Sequence, residues 1–173
     1  MRRRDILAAG LLLPLEGLAQ TCGIVTPRQT EGPFFTPNSP KRISLLEGNE
    51  KSKLIVTGTV LTAQCKPVAN ALLDFWHSDE QGAYDNRGFR YRGHQFADAQ
   101  GRYRLETIVP AEYPGRARHI HVKVQAPRGR VLTTQIHFPG DPGNPRDGLY
   151  QPELEMKQAK AGEGAFDFVV SVQ

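Results

Sequence analysis

The chain reads as an all-β protein, a β-sandwich with few short helices and long loops, and three observations point that way. Short β-branched or aromatic runs recur along it, each bounded by Gly, Pro or Asn. Its thirteen prolines suit turns and leave little room for helices. At residues 119–125, Ile120, Val122 and Val124 alternate with His119, His121, Lys123 and Gln125, the period of a strand with one face toward a core.

Taken in order, residues 1–19 read as an export signal: Arg2, Arg3 and Arg4, an apolar run from Ile6 to Leu15, then small residues at Gly17 and Ala19. The run is too short to span a membrane. Its arginines resemble a twin-arginine leader, which carries folded proteins, with ordinary secretion as the alternative. The mature protein is therefore expected outside the cytoplasm, periplasmic or extracellular. Thr21 stands where a lipoprotein signal usually has Gly or Ala, so Cys22 is not read as a membrane anchor. Residues 20–173 then make one domain with a core of its own. Strands are expected over 54–60, 71–76, 103–109, 119–125, 131–138 and 165–172, with a short helix over 152–158 and a loop over 141–147. If 126–130 forms a five-residue hairpin loop, Gln135 falls opposite His121 and His137 opposite His119. One residue of slip would turn Gln135 inward.

Composition excludes some classes. The formal charge of +4 falls to +3 without the leader, which carries three arginines and two acids. Arg116, Arg118, Lys123, Arg128 and Arg130 concentrate positive charge in one segment, either to attract an anionic substrate or simply as a solvated face. No exposed aromatics interleave with them and no helix is evident to enter a groove, so no nucleic acid is expected as a partner. Cys22 and Cys65 are expected to pair in an oxidising compartment, free thiols being the alternative.

Tyr84, Tyr113, His119 and His121 carry the chemistry. Phenolate is a hard anionic donor that cancels charge on a trivalent metal, and imidazole is the general ligand of first-row ions, so the four together suit ferric iron. Zinc sites rarely use two tyrosinates. His119 and His121 are one residue apart, which on a strand puts both rings on one face. His77, His94 and His137 read as surface or satisfied core residues, and Tyr91, Tyr103 and Tyr150 as aromatic packing. Trp76 reads as part of the sandwich core.

Five stretches resemble the intradiol ring-cleavage dioxygenases, the catechol and protocatechuate 3,4-dioxygenase group. They are Thr-Pro-Arg-Gln-Thr-Glu-Gly-Pro-Phe-Phe at 26–35, Leu-Asp-Phe-Trp-His-Ser-Asp-Glu-Gln-Gly-Ala-Tyr at 73–84, and Gly-Arg-Tyr-Arg-Leu-Glu-Thr at 101–107. Tyr-Pro-Gly-Arg-Ala-Arg-His-Ile-His at 113–121 and Gln-Ile-His-Phe-Pro-Gly-Asp at 135–141 complete the set. The most specific is Tyr-Pro followed by Arg and His-x-His. The resemblance implies Tyr84, Tyr113, His119 and His121 as ligands of one ferric iron per site, with hydroxide in the fifth position and Tyr113 as the ligand that lets go. It implies Arg116 as a fixed cation for charge developing on the substrate, Gln135 beside the iron and substrate, and Gly32 and Pro33 in the wall of the ring pocket. Arg118 competes with Arg116 for that role. A small aromatic diol and O2 are the implied substrates, and a muconate-type diacid the product.

The likeness is to the catalytic core alone, without the helical dimerisation segment of the catechol enzymes or the second subunit of the protocatechuate enzymes. An open pocket for varied catechols is expected, and a homo-oligomer is left open. Three rivals stand beside this reading: a non-catalytic binding sandwich, a metalloenzyme using His119, His121 and an acid such as Asp79, and a relative that keeps iron without efficient turnover.

Overall fold

Alternating apolar residues bring two β-sheets face to face, with Val56, Val60, Leu105 and Phe168 of one packed against Leu73, Phe75, Ile120, Val122, Val124 and Ile136 of the other, all fully or almost fully buried. The structure is a computed structural model that describes residues 22–48 and 50–172; the expected leader lies outside the described residues. Nine strands are found among these: β1 (Leu54–Thr62), β2 (Leu72–Trp76), β3 (Arg92–Phe96), β4 (Arg102–Thr107), β5 (His119–Gln125), β6 (Val131–His137), β7 (Lys157–Lys160), β8 (Glu163–Ala165) and β9 (Phe168–Val170). One sheet runs β4-β1-β8-β7, with β9 also paired to β1, and the other runs β3-β2-β5-β6. The all-β sandwich expected from the sequence is the fold observed.

The β5–β6 hairpin has the register that a five-residue loop requires: His119 lies opposite His137 and His121 opposite Gln135. Because side chains alternate across a strand, this keeps His119, His121, Gln135 and Trp76 on the outer face of their sheet while Ile120 and Val122 fill the core. Trp76 corrects one expectation. It is 1% exposed but lies outside the sandwich core, stacked on His121 at 4.8 Å.

Four further differences have local causes. The strand expected over 165–172 is two strands, β8 and β9, because the chain turns at Phe166 and Asp167. There the Phe166 carbonyl accepts the Tyr103 hydroxyl (2.7 Å) and Asp167 accepts the Thr59 N–H (2.7 Å). Gly58 makes this crossing possible, since a Cβ there would sit 1.8 Å from the Phe166 oxygen. The helix expected over 152–158 is a single 3-10 turn, Pro152–Leu154, before β7 begins at Lys157, and the 141–147 loop contains another at Asn144–Arg146. β3, Arg-Gly-His-Gln-Phe, was not expected because its composition lacks a β-branched run.

The N-terminal arm closes the outer face. Thr26 N–H donates to Val169 (2.9 Å) and Gln29 N–H to Thr133 (2.9 Å), after which the arm passes over β5 and β2 so that Phe35 packs on Trp76 at 4.9 Å. Cys22 and Cys65 are joined by a disulfide that fastens the start of this arm, closing a loop of sequence separation 43. Such a loop contributes roughly 4 kcal/mol in the chain-entropy model. Urea unfolding of the protein with and without reductant should show a loss of about that size, and coincident curves would contradict it.

Candidate metal centre

Under the arm, His119 and His121 are nearly inaccessible, at 4% and 3% exposure. His119 Nδ1–H donates to the Ala117 carbonyl (2.7 Å), which fixes the tautomer and leaves Nε2 as a lone-pair donor. His121 is held flat by Trp76, and its Nδ1 is buried without a partner. The two Nε2 atoms are 3.1 Å apart, and Tyr84 Oη lies 3.3 Å from His119 Nε2. Ligand atoms about 2.1 Å from one ion and roughly at right angles are separated by about 3 Å, the spacing at which His121 Nε2 and Tyr84 Oη each stand from His119 Nε2. The ring of Tyr113 stands edge-on to Tyr84 with centroids 5.9 Å apart. Tyr84, His119 and His121 thus meet through their polar atoms, and Tyr113 joins them through its ring contact with Tyr84.

Electrostatics prepares the donors. Burial, helped by the Arg116 charge, lowers the His119 imidazole to about 4, and burial with neighbouring His119 pushes His121 well below its ordinary value. Both rings are neutral at physiological pH, as metal ligands must be. Burial raises the Tyr84 phenol to about 12, so a phenolate there requires a strong positive charge beside it. Two neutral imidazoles and two phenols fit a hard trivalent ion.

One pH effect follows for the metal-free protein. His77, buried between Ser78 O (2.7 Å) and Thr107 Oγ1 (2.6 Å), is also lowered to about 4 by burial. Between about 4 and 6.5 the unfolded chain binds protons that folded His77 and His119 refuse. Stability is therefore complete above 6.5 and falls as pH drops toward 4. Melting temperatures of apo-protein from pH 7.5 to 4.5 should decline through that window; a flat profile would contradict it.

The walls come from the arm and two loops. Phe34 stacks on Tyr84 (4.4 Å, 15°) and meets Tyr113 edge-on at 5.2 Å. Gly32, at φ +71, brings backbone close to His121, with an added Cβ only 3.6 Å from the ring's Cε1. Pro33 follows it in the same segment. Arg92, 1% exposed, ties the walls together by donating from Nη1 to Phe34 O (2.6 Å) and from Nε to Asp85 O (2.9 Å). Tyr113 also borders an open cleft of about 460 Å³, lined in addition by Gln81, Glu112, Arg116, Arg146 and Asp147.

Arg116 donates from Nε to both carboxylate oxygens of Asp147 (2.9 and 3.0 Å) and from Nη2 to Gln135 Oε1 (2.6 Å). The competing arginine, Arg118, turns to Asp141 (2.8 Å) and Glu112 (3.9 Å) instead. Asp79 accepts the backbone N–H groups of Gln81 and Ala83 and faces Arg90, and no three His, Cys, Asp or Glu residues converge among the described residues. That geometry does not favour a His–carboxylate site. His137 is fully buried with neither ring nitrogen hydrogen-bonded, neither the surface nor the satisfied core residue expected, while His77 is a satisfied core histidine.

Sequence reasoning did not single out Phe34, Arg92 or Asp147 and took Trp76 for core. Phe34 follows Gly32-Pro33 directly, which was an available signal; Arg92 and Asp147 act through contacts distant in sequence.

Fold and cluster define a class: a β-sandwich carrying a tyrosine–histidine pocket with the chemistry of a metal site. A model of the dioxygenase family matches residues 30–163. Catechol 1,2-dioxygenase of Acinetobacter baylyi is 32% identical over 155 residues, 72% of this chain and 50% of that protein. The protocatechuate 3,4-dioxygenase beta chain of Burkholderia cepacia is 35% identical over 117 residues, 57% of this chain and 50% of that one. A solved dioxygenase domain, from a dioxygenase carbohydrate-binding protein fusion of the cellulolytic bacterium Streptomyces sp. SirexAA-E, is 52% identical with a TM-score of 0.83, covering 87% of this chain and all of that one. The chain belongs to the intradiol ring-cleavage dioxygenase family. It spans about half the length of the two curated relatives named.

Proposed function

We propose that this protein is an exported ferric-iron dioxygenase that cleaves catechol-type rings between the two hydroxyl-bearing carbons, inserting both atoms of O2 to give a muconate-type diacid. The observation that supports this is the close approach of Tyr84 Oη and the two Nε2 atoms of His119 and His121, with the Tyr113 ring beside Tyr84. These four residues would hold the iron, which when bound supplies a Lewis acid and template for the diol. Two tyrosinates and the hydroxide expected beside them would balance a trivalent ion, so a dianionic diol would leave the net charge unchanged if it replaced that hydroxide and Tyr113, the two departing groups taking its two protons. Bordering the open cleft, Tyr113 has space to turn away, and its Oη can take up one of the diol's protons. Tyr84 is stacked beneath Phe34 and has no comparable freedom. Gly32 leaves room for a flat ring beside His121, and Phe34 and Trp76 exclude water from the donor atoms. Arg116, fixed by Asp147 and Gln135, presents a permanent cation to negative charge developing on the substrate.

Export rests on the sequence of residues 1–19 and agrees with a disulfide, which persists in oxidising compartments. A pocket closed on one side only by its own arm favours broad acceptance of substituted catechols, including fragments of plant polymers. The relative from a cellulolytic bacterium lends this support. One catechol preferred by orders of magnitude in a panel would contradict that breadth.

The test of the activity is direct. Iron-loaded protein should be red-brown, its visible band should shift when catechol is added anaerobically, and ¹⁸O2 should place two labelled oxygens in the diacid. A colourless protein that gains no band from ferric iron would instead favour a binding sandwich.

A further inference from the structure

The guanidinium of Arg116 is gripped on two edges. Asp147 takes Nε, Gln135 takes Nη2, and Nη1 makes no hydrogen bond among the described residues. Asp147 is itself immobilised: its side chain is 1% exposed, and its oxygens also accept the Ala117 N–H (3.0 Å) and the Leu149 N–H (2.9 Å). Its backbone N–H closes the 3-10 turn onto Asn144 O (3.2 Å) and also reaches Gly143 O (3.1 Å). Gln135 is tied in turn to the arm, donating from Nε2 to Thr30 O (3.3 Å), two residues before Gly32. The same loop supplies a second buried clamp, Asp141 on Arg118, which has the same chemistry but touches neither Gln135 nor the cluster.

We propose that Asp147 is a positioning residue for ring cleavage: it holds Arg116 so that its one free edge is set relative to the four clustered side chains. The proposal rests on the reading of the site given above. A carboxylate is required because four N–H contacts from three groups converge on its two oxygens. An asparagine would offer one oxygen and turn an NH2 group toward donors, releasing the guanidinium. Glutamate would keep the charge and displace the guanidinium through its extra methylene.

The experiment is a double-mutant cycle on iron-loaded protein, with turnover expressed per bound iron, comparing wild type, Asp147→Asn, Arg116→Ala and both together. Asp147→Asn should lower kcat about 10²-fold, the scale set by misplacing a catalytic group by about 1 Å, while KM and iron content change little. Acting through Arg116, it should add nothing to Arg116→Ala, so the double variant turns over at the rate of Arg116→Ala alone. Asp147→Glu should fall between wild type and Asp147→Asn, which keeps the test open if the asparagine variant folds poorly. Asp141→Asn, by breaking the neighbouring clamp, should reduce stability and leave kcat per iron unchanged. In iron-free protein, the Arg116 Nε–H should exchange slowly with solvent in wild type and fast in Asp147→Asn. Multiplicative losses in the double variant, an unaltered kcat in Asp147→Asn, or fast Nε–H exchange in wild type would each overturn the proposal. Iron-loaded wild type that leaves every catechol intact would instead strike the functional reading, and the exchange measurement would still decide whether Asp147 holds Arg116.

Discussion

Tyr84→Phe should yield a protein of normal fold that neither holds iron nor shows colour. The substitution keeps the ring, and with it the 4.4 Å stack on Phe34, so packing is preserved. What is lost is the oxygen 3.3 Å from His119 Nε2, which would be an anionic donor to the iron. Changing a residue behind a metal ligand already costs 10- to 100-fold in affinity, so removal of the ligand atom should cost more than about 100-fold. Tyr113→Phe should weaken binding less and alter the charge-transfer band, because Tyr113 stands at the cleft and is the donor expected to yield. Iron content and the visible spectrum of both variants, after identical loading, check this. Unaltered iron binding and turnover in both would rule out a tyrosinate site.

The second large effect is kinetic. Arg116→Ala should reduce kcat by about 10²- to 10³-fold, the usual consequence of removing a preorganised group that stabilises developing negative charge. Iron content and the resting spectrum should stay near wild type, since the Arg116 guanidinium donates to Asp147 and Gln135 and its backbone bond to the Tyr113 carbonyl survives the substitution. The change also leaves Asp147 buried without its cation, at a cost of about 3–5 kcal/mol, so kinetics must be taken well below the lowered melting temperature. Arg116→Lys should not restore the rate. A single ammonium cannot reproduce the planar fork that spans a carboxylate and an amide at fixed angles. A variant with wild-type kcat per iron would remove Arg116 from the chemistry.

What could be read in the sequence was what is written locally. The alternation around His119 and His121 announces strand β5 and its two faces, and five loop residues determine the register that places Gln135 beside His121. β3 was not legible because Arg-Gly-His-Gln-Phe lacks the β-branched run that marks a strand. Beside Gly93, its buried side chains are instead Arg92, whose guanidinium reaches the carbonyls of Phe34 and Asp85, and Gln95, whose amide meets the backbone of Arg104 on the other sheet. Trp76 was misplaced since a large aromatic in a strand is ordinarily core, and only the pairing of Trp76 with His121 reveals that it belongs to the outer face. Asp147 lies 31 residues from Arg116, in a Pro- and Gly-rich loop where an acid normally serves the turn itself. No local pattern distinguishes its role; the fold does.

The central claim is that one trivalent iron sits among Tyr84, Tyr113, His119 and His121, and iron anomalous scattering from crystals of the loaded protein tests it most directly. The account predicts a single strong peak within bonding distance of both phenol oxygens and both Nε2 atoms. A peak elsewhere, or density bound by the histidines while both phenols stay apart from it, would contradict the account.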